Sequence, residues 1–467
     1  MQVLHRGLAL DRTDRRTIWR IVLPSLVELV LTQLFAMVDT IMLGQTSMSA
    51  VAIAAVGLTN NPVNMVNGVL TALHIGTTAA IAWAVGAGDL RAARAVTRTA
   101  LSMSVLMGLG AAALLYLPAG PLVTFMGAQA DTYEYARTYL QIIALGMPAA
   151  MVGFACTASL RGVGLTRLPM AYNLAGNLLN VVGNYALIYG HFGLPAMGVA
   201  GAAISTTLSR YVSCALALLV IFRGHSKVQV HLHEDFRLRK QWLSRILGVG
   251  VTSGLEQFIM QIGFMMFART VSGLGTVVFA AHQIGLSVNG LTWMPGQAFA
   301  VAATTLVGQS LGAGNPQRAK TLVRVIWRYS LVAAGLIAAL FLVGAQWIVR
   351  AYTNDPQVER LASTVLRIIA LGMPGIATQL PIAAALRGAG DTRFPLYASA
   401  AGIWVFRVLI APLFVYTLGW GLNGAWYTIA LDQTTRAAVV YARFHTDRWM
   451  HMHGAGLSGK PAAEKGD

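Results

Sequence analysis

Four carboxylates, Glu28, Asp39, Glu256 and Asp432, stand inside stretches that are otherwise almost wholly apolar. In lipid each would cost at least about 2.5 kcal/mol, so each needs a partner or a task. Asp39, in FAMVDTIMLG, lies about three turns beyond Glu28 on one expected helix. A later stretch carries Asn173, Asn177, Asn180 and Asn184, the last three at spacings of three and four and hence on one helical face. Amides facing lipid would be stranded, so this stripe should face protein, where Asp39 can meet it. A carboxylate among neutral oxygen ligands takes either a proton or a small hard cation such as Na⁺. The plainer alternative is that the amides only bridge helices.

Glu256 is the counterpart of Glu28, because PSLVEL and TSGLEQ align at an offset of 228. Gln257 and Gln261 follow it, and His282 and Gln283 open the next apolar stretch. Such a group would offer negative charge to a cationic substrate or a proton to a coupling cycle. Glu28 has the further alternative of pairing with a basic group. Arg407 in GIWVFRVLI, Arg367 and Asp432 read first as internal ion-pair partners, with ligand contact as the alternative. His74 and His282 are either proton relays or packing residues. His225, His231 and His233 fall in a basic polar segment and read as solvated rather than metal-binding. Cys156 and Cys214, both within apolar stretches, offer no disulfide framework or metal cluster. GAGDLRAAR lacks the third glycine and the flanking strand of a dinucleotide-binding turn. No nucleophile–base pair or cofactor motif marks an enzyme.

The elements that must position these groups are transmembrane helices. Hydrophobic residues make up 56% of the 467 and charged ones 11%, against about 25% charged in a soluble domain. With about 20 apolar residues needed per crossing, twelve spans are expected, near 18–43, 51–80, 96–118, 135–159, 168–190, 198–222, 243–269, 276–308, 322–348, 360–385, 395–417 and 421–442. They form two copies of one unit. IIALGMP occurs at Ile142–Pro148 and again at Ile368–Pro374, 226 residues later, and the same offset aligns GAGD with GAGN and LRGVGLTR with LRGAGDTR. Six spans per repeat is an even number, so the lobes are related by a pseudo-two-fold axis along the membrane normal. We expect an N-lobe over 1–223, a polar linker over 224–242, a C-lobe over 243–447 and a disordered tail over 448–467.

The net charge of +17 would suggest nucleic acid in a soluble protein. Here Lys and Arg gather before the first span, in alternate loops and in the central linker. That is the positive-inside pattern of a multi-pass plasma-membrane protein with both termini cytoplasmic, and it leaves no role for nucleic acid. No cleavable signal peptide is visible.

VDTIMLG around Asp39, the GAGD/GAGN pair, the LRGxGxTR pair, GVAGAAIST and AAHQI followed by GQAFAVAATTLVGQSLGAG occur in an order that resembles the multidrug and toxic compound extrusion (MATE) transporters over residues 15–445. The resemblance implies a V-shaped, twelve-helix exporter of amphipathic, often cationic, drug-like compounds, acting as a monomer by alternating access in antiport with Na⁺ or H⁺ and without a cofactor. It carries the family's N-lobe ion site onto Asp39, Asn180 and Thr206. Many members have a second aspartate where this chain has Asn184, so one formal charge is missing. The seventh-span glutamate of some members looks like Glu256, but 360–385 offers no aspartate to join it. Pro24 sits where family members can bend the first span. A lipid-linked precursor flippase of the same superfamily is the alternative; it would call for extra spans or a basic groove-lining cluster, and the sequence has neither.

Overall fold

The computed structural model describes residues 12–45, 49–223, 228–231, 233–353 and 355–450. Among these residues the chain is helical: α1 (Arg12–Gly44), α2 (Ser49–Gly86), α3 (Leu90–Tyr116), α4 (Ala119–Phe125), α5 (Tyr133–Leu145), α6 (Met147–Val163), α7 (Arg167–Tyr189), α8 (Gly198–Arg223), α9 (Lys240–Ser272), α10 (Thr276–Gly312), α11 (Pro316–Arg350), α12 (Pro356–Gly388), α13 (Arg393–Gly402) and α14 (Gly421–His445). π-helical turns at Ile403–Ile410 and Leu413–Thr417 extend α13. With α5 and α6 taken as one bent rod, and α4 set aside as a short connector, the twelve expected spans each have a helix. His225 and the tail beyond Met450 lie outside the described residues.

Seven of the rods are long and apolar enough to cross a membrane by length and composition, and the α5–α6 pair, bent by 44°, makes an eighth. The remaining four are α7, α9, α10 and α14. They are the rods that carry the asparagine stripe, Glu256, His282 and Asp432. Functional or ion-paired polar groups are what lower their hydropathy, as expected of groups that face protein rather than lipid.

Two compact units emerge, Val27–Gly250 and Val251–Asp467, the second including the chain before Val27. α1 therefore passes from one unit to the other just after Pro24, which lies inside it. In the Val27–Gly250 unit, Leu115, Leu140, Ile143, Met147 and Met151 form the core. In the other, α12 is almost wholly buried and supplies Val365, Leu366, Ile369, Met373, Ile376 and Leu380.

The repeated motifs have structural explanations that hold in both copies. In GAGD and GAGN the second glycine takes a left-handed turn, with φ of 75° at Gly88 and 71° at Gly314. The next residue caps a helix: Asp89 accepts from the Ala92 amide at 2.8 Å and Asn315 from the Arg318 amide at 3.0 Å. In LRG, Gly162 and Gly388 permit close helix approach, since a Cβ there would lie 2.9 Å from the Ile81 side chain and 2.7 Å from the Thr304 carbonyl oxygen. The same contact is pinned by equivalent bonds, Thr78 Oγ1 to the Ala158 carbonyl at 3.2 Å and Thr304 Oγ1 to the Ala384 carbonyl at 3.0 Å. IIALGMP behaves differently in its two copies: the helix breaks at Gly146 in the first and runs on through Pro374 in the second.

Candidate functional site: a carboxylate among amides

α1 and α7 run side by side in the same direction. Glu28 meets Asn173 and Asp39 meets Asn184, so eleven residues on one helix, about 16 Å of rise, match eleven on the other. The spacing of the stripe from Asn173 to Asn184 keeps all four amides on one face. Their partners then divide them.

At one end, Asn184 Nδ2 donates to Asp39 Oδ1 at 2.7 Å. The Asn180 amide satisfies both its ends when its nitrogen faces Asp39, at 2.8 and 3.0 Å from the carboxylate oxygens, and its oxygen accepts from the Thr206 hydroxyl at 3.2 Å and backbone amide at 3.3 Å. Ser205 Oγ donates to the Asn180 carbonyl at 2.8 Å, and Tyr189 donates to the Met42 carbonyl at 2.7 Å, fixing α7 against α8 and α1. Asn180 and Asn184 are buried and Asp39 is partly so. Asn184 Oδ1 is buried with no hydrogen-bond partner. Asn177 shares the face but makes no hydrogen bond to Asp39 among the described residues, and lines a cavity of about 370 Å³ with Glu28, Asn67 and Arg210.

At the other end, Glu28 is bound by Arg161 at 3.0 Å and by Asn173 at 2.7 Å. The second repeat reproduces this cluster. Glu256 is bound by Arg387 at 3.0 Å and by Ser399 at 2.7 Å, and Arg387 and Ser399 lie 226 positions after Arg161 and Asn173. The two arginines come from the LRGxGxTR motifs, expected as loop charges; they sit instead in the last turns of α6 and α12, where they neutralise a buried glutamate.

Glu256, Gln257, His282 and Gln283 lie in different surroundings in the structure. Glu256 is occupied by its ion pair and Gln257 is half-buried beside it. His282 sits among Phe267, Phe279 and Trp426, with ring centroids at 5.9, 6.0 and 5.5 Å, and its Nδ1 is unpartnered. Gln283 is exposed, about 100° around α10 from the buried His282. His282 and Gln283 are adjacent in sequence, and helical geometry turns adjacent side chains apart. Arg407 pairs with Asp432 at 2.7 Å, and Arg436 completes the cluster at the same distance. Arg367 is exposed and has no ion pair among the described residues. His74 is buried against Phe154 with both ring nitrogens unpartnered.

The Asp39 arrangement has no second copy. The positions equivalent to Asp39, Asn180 and Asn184 are Phe267, Phe406 and Ile410, and there the helix widens into π turns. Among the described residues no group of three His, Cys, Asp or Glu side chains is placed to hold a metal ion. The site is one carboxylate, two amides and a hydroxyl.

The MatE family model matches residues 24–186 and 253–413, one match in each repeat. The chain belongs to the MatE family. It is 34% identical to the probable multidrug resistance protein NorM of Thermotoga maritima, over 93% of each chain. It is 30% identical to the multidrug resistance protein PmpM of Pseudomonas aeruginosa, over 94% of this chain and 93% of that one. Among solved structures, an outward-facing multidrug resistance MATE family transporter of the MOP superfamily superposes with a TM-score of 0.85 over 95% of this chain and 98% of that chain, at 23% identity. A mutant of the Vibrio cholerae MATE transporter VcmN superposes with a TM-score of 0.86 over the same shares, at 20% identity. These superpositions give the fold, twelve transmembrane helices in two lobes. A MATE chain is a multi-pass membrane transporter and not an enzyme.

Two features of the site are not read from the sequence. Arg161 and Arg387 fall just outside the expected spans 135–159 and 360–385, although their repetition at the 226-residue offset is a signal. Arg210 stands alone in an apolar span.

Proposed function

We propose that this MATE chain exports amphipathic, often cationic, drug-like compounds across a bacterial inner membrane with both termini cytoplasmic, driven by inward Na⁺ or H⁺ taken up at Asp39. Multidrug efflux is the function its NorM and PmpM relatives are named for. The observation that carries the coupling reading is Asp39 gripped by two amides, one of which keeps an unpartnered oxygen beside it.

An amide carries a donor at one end and an acceptor at the other. With the carboxylate ionised and empty, both amides donate to it. When Asp39 takes a proton or a cation, its oxygens become weaker acceptors and a donor or cation now stands among them, which favours amide oxygens turned inward: Asn180 rotates its oxygen toward Asp39, and Asn184 Oδ1 becomes a ligand. Rotation of Asn180 reverses its bond with the Thr206 hydroxyl, Nδ2 then donating to Oγ1 at 3.2 Å, and takes its oxygen away from the Thr206 backbone amide, so ion uptake changes how α1, α7 and α8 are tied together. A ligand moves a conformational equilibrium only by its differential affinity for the two states, and this exchange of partners supplies that difference. Glu28 and Glu256 hold their helices in place as neutralised ion pairs.

The test is dye efflux from vesicles with pH and Na⁺ gradients imposed separately. Accumulation driven by either gradient alone names the ion. Dye movement indifferent to both gradients overturns the coupling reading.

A further inference from the structure

The polar cavity of about 370 Å³ in the Val27–Gly250 unit, lined by Glu28, Thr32, Asn67, Asn177, Ser209 and Arg210 among others, carries an unbalanced charge. Glu28 is its one acidic lining residue and is already held by Arg161 and Asn173. Two guanidinium groups therefore face one carboxylate. Arg210 stays charged at physiological pH, yet among the described residues no carboxylate lies within ion-pair distance; its one hydrogen bond is to Met147 Sδ at 3.9 Å.

The second repeat shows what is missing. Arg436 is the equivalent of Arg210, 226 positions later, and it is paired with Asp432 four residues before it on the same helix. The residue four before Arg210 is Thr206. One copy neutralises its arginine internally, and the other leaves the same arginine facing a cavity. The break in IIALGMP accommodates it, since Gly146 lies against the Arg210 stem, where a Cβ would come within 3.3 Å of Cδ. Across the same cavity Asn67 keeps a buried Oδ1 with no hydrogen-bond partner.

We propose that Arg210 is a specificity-determining residue that binds the carboxylate of an anionic or zwitterionic aromatic substrate, with Asn67 Oδ1 receiving a donor from the same molecule. The volume is within the usual range for small-molecule sites, and an arginine fork matches a carboxylate in two parallel hydrogen bonds. The inference rests on the efflux reading only in taking the cavity as a substrate site. Equilibrium binding is read without any ion gradient, so failure of coupling at Asp39 leaves it untouched.

The probes are rhodamine 110, which has a free carboxylate, and its methyl ester rhodamine 123, titrated by fluorescence anisotropy against the purified full chain in nanodiscs. The unaltered protein should bind the acid more tightly than the ester. Arg210→Gln should weaken the acid by at least about tenfold, the scale of a charge-assisted hydrogen bond, and leave the ester within about twofold. Arg210→Lys should recover part of the loss. Equal affinity of the unaltered protein for both dyes, which requires no variant to fold, overturns the proposal. So does an Arg210→Gln variant that loses both dyes equally or neither.

Discussion

Asp39→Asn removes the acidic side chain that Asn180 and Asn184 grip while preserving its shape. Coupling through Asp39 carries one charge per cycle. For a substrate without net charge, one inward H⁺ gains about 2.3 kcal/mol from a potential of 100 mV and about 1.4 kcal/mol from one pH unit. Together these sustain a substrate gradient of about 500-fold. For a monovalent cation the exchange is electroneutral, the potential drops out, and one pH unit sustains about tenfold. In Asp39→Asn the imposed ion gradient should no longer drive accumulation of either substrate, because no carboxylate remains to take a proton or to balance a cation's charge. Asn184 Nδ2 keeps an acceptor in the new amide oxygen, so the fold should persist with a melting temperature within a few degrees. The assay is steady-state accumulation of dye in proteoliposomes with imposed gradients, alongside a thermal melt. A folded Asp39→Asn protein that still concentrates dye in proportion to the gradient would refute the assignment.

Glu256→Gln should leave gradient-driven transport working while lowering the melting temperature, because it strips Arg387 of its partner; loss of coupling with unchanged stability would reverse the roles given to Glu256 and Asp39. Arg161→Leu should cost about 3 kcal/mol by leaving Glu28 buried and unpaired, and the added change Glu28→Gln should restore most of it in the same melt. Gly388→Ala pushes a Cβ to 2.7 Å from the Thr304 carbonyl oxygen, an overpacking expected to cost about 1–3 kcal/mol and read as poorer thermal stability in detergent. In the exposed linker, the Asp235 carboxylate is held below the ordinary carboxylate range, first by the Arg237 backbone amide and then by Arg239. Such a group favours the folded linker above its unfolded value and loses that contribution as pH falls through its lowered one. Asp235→Asn should remove this acid-side dependence from the linker's melt and, because Asp235 is exposed and makes no contact with the Asp39 site, leave transport at neutral pH unchanged.

Twelve rods, the 226-residue repeat and the meeting of Asp39 with Asn180 and Asn184 were legible in the sequence, because lipid imposes rules that a one-dimensional pattern obeys. Apolar length sets a span, and helical spacing sets a face. An amide stripe in lipid must find protein, and Asp39 was the acid placed to receive it. The C-lobe cluster was not legible. Gln283 neighbours His282 in sequence but points elsewhere, and Glu256 takes its partner from a motif 131 residues later, a distance along the chain that no local pattern spans.

The heptapeptide IIALGMP draws the line between the two kinds of information. Its repetition determined that the chain has two homologous halves and where their equivalent helices fall. The same seven residues break in one copy and continue in the other, in different packing: Arg210 and Thr207 lie against Gly146, and Gln433 and Ala430 lie against Gly372. The same is true of the charges. Sequence placed Arg210 and Arg436 at equivalent positions, but only the packed structure showed that one has an acid beside it and the other an open cavity, because ion pairing depends on distances in space.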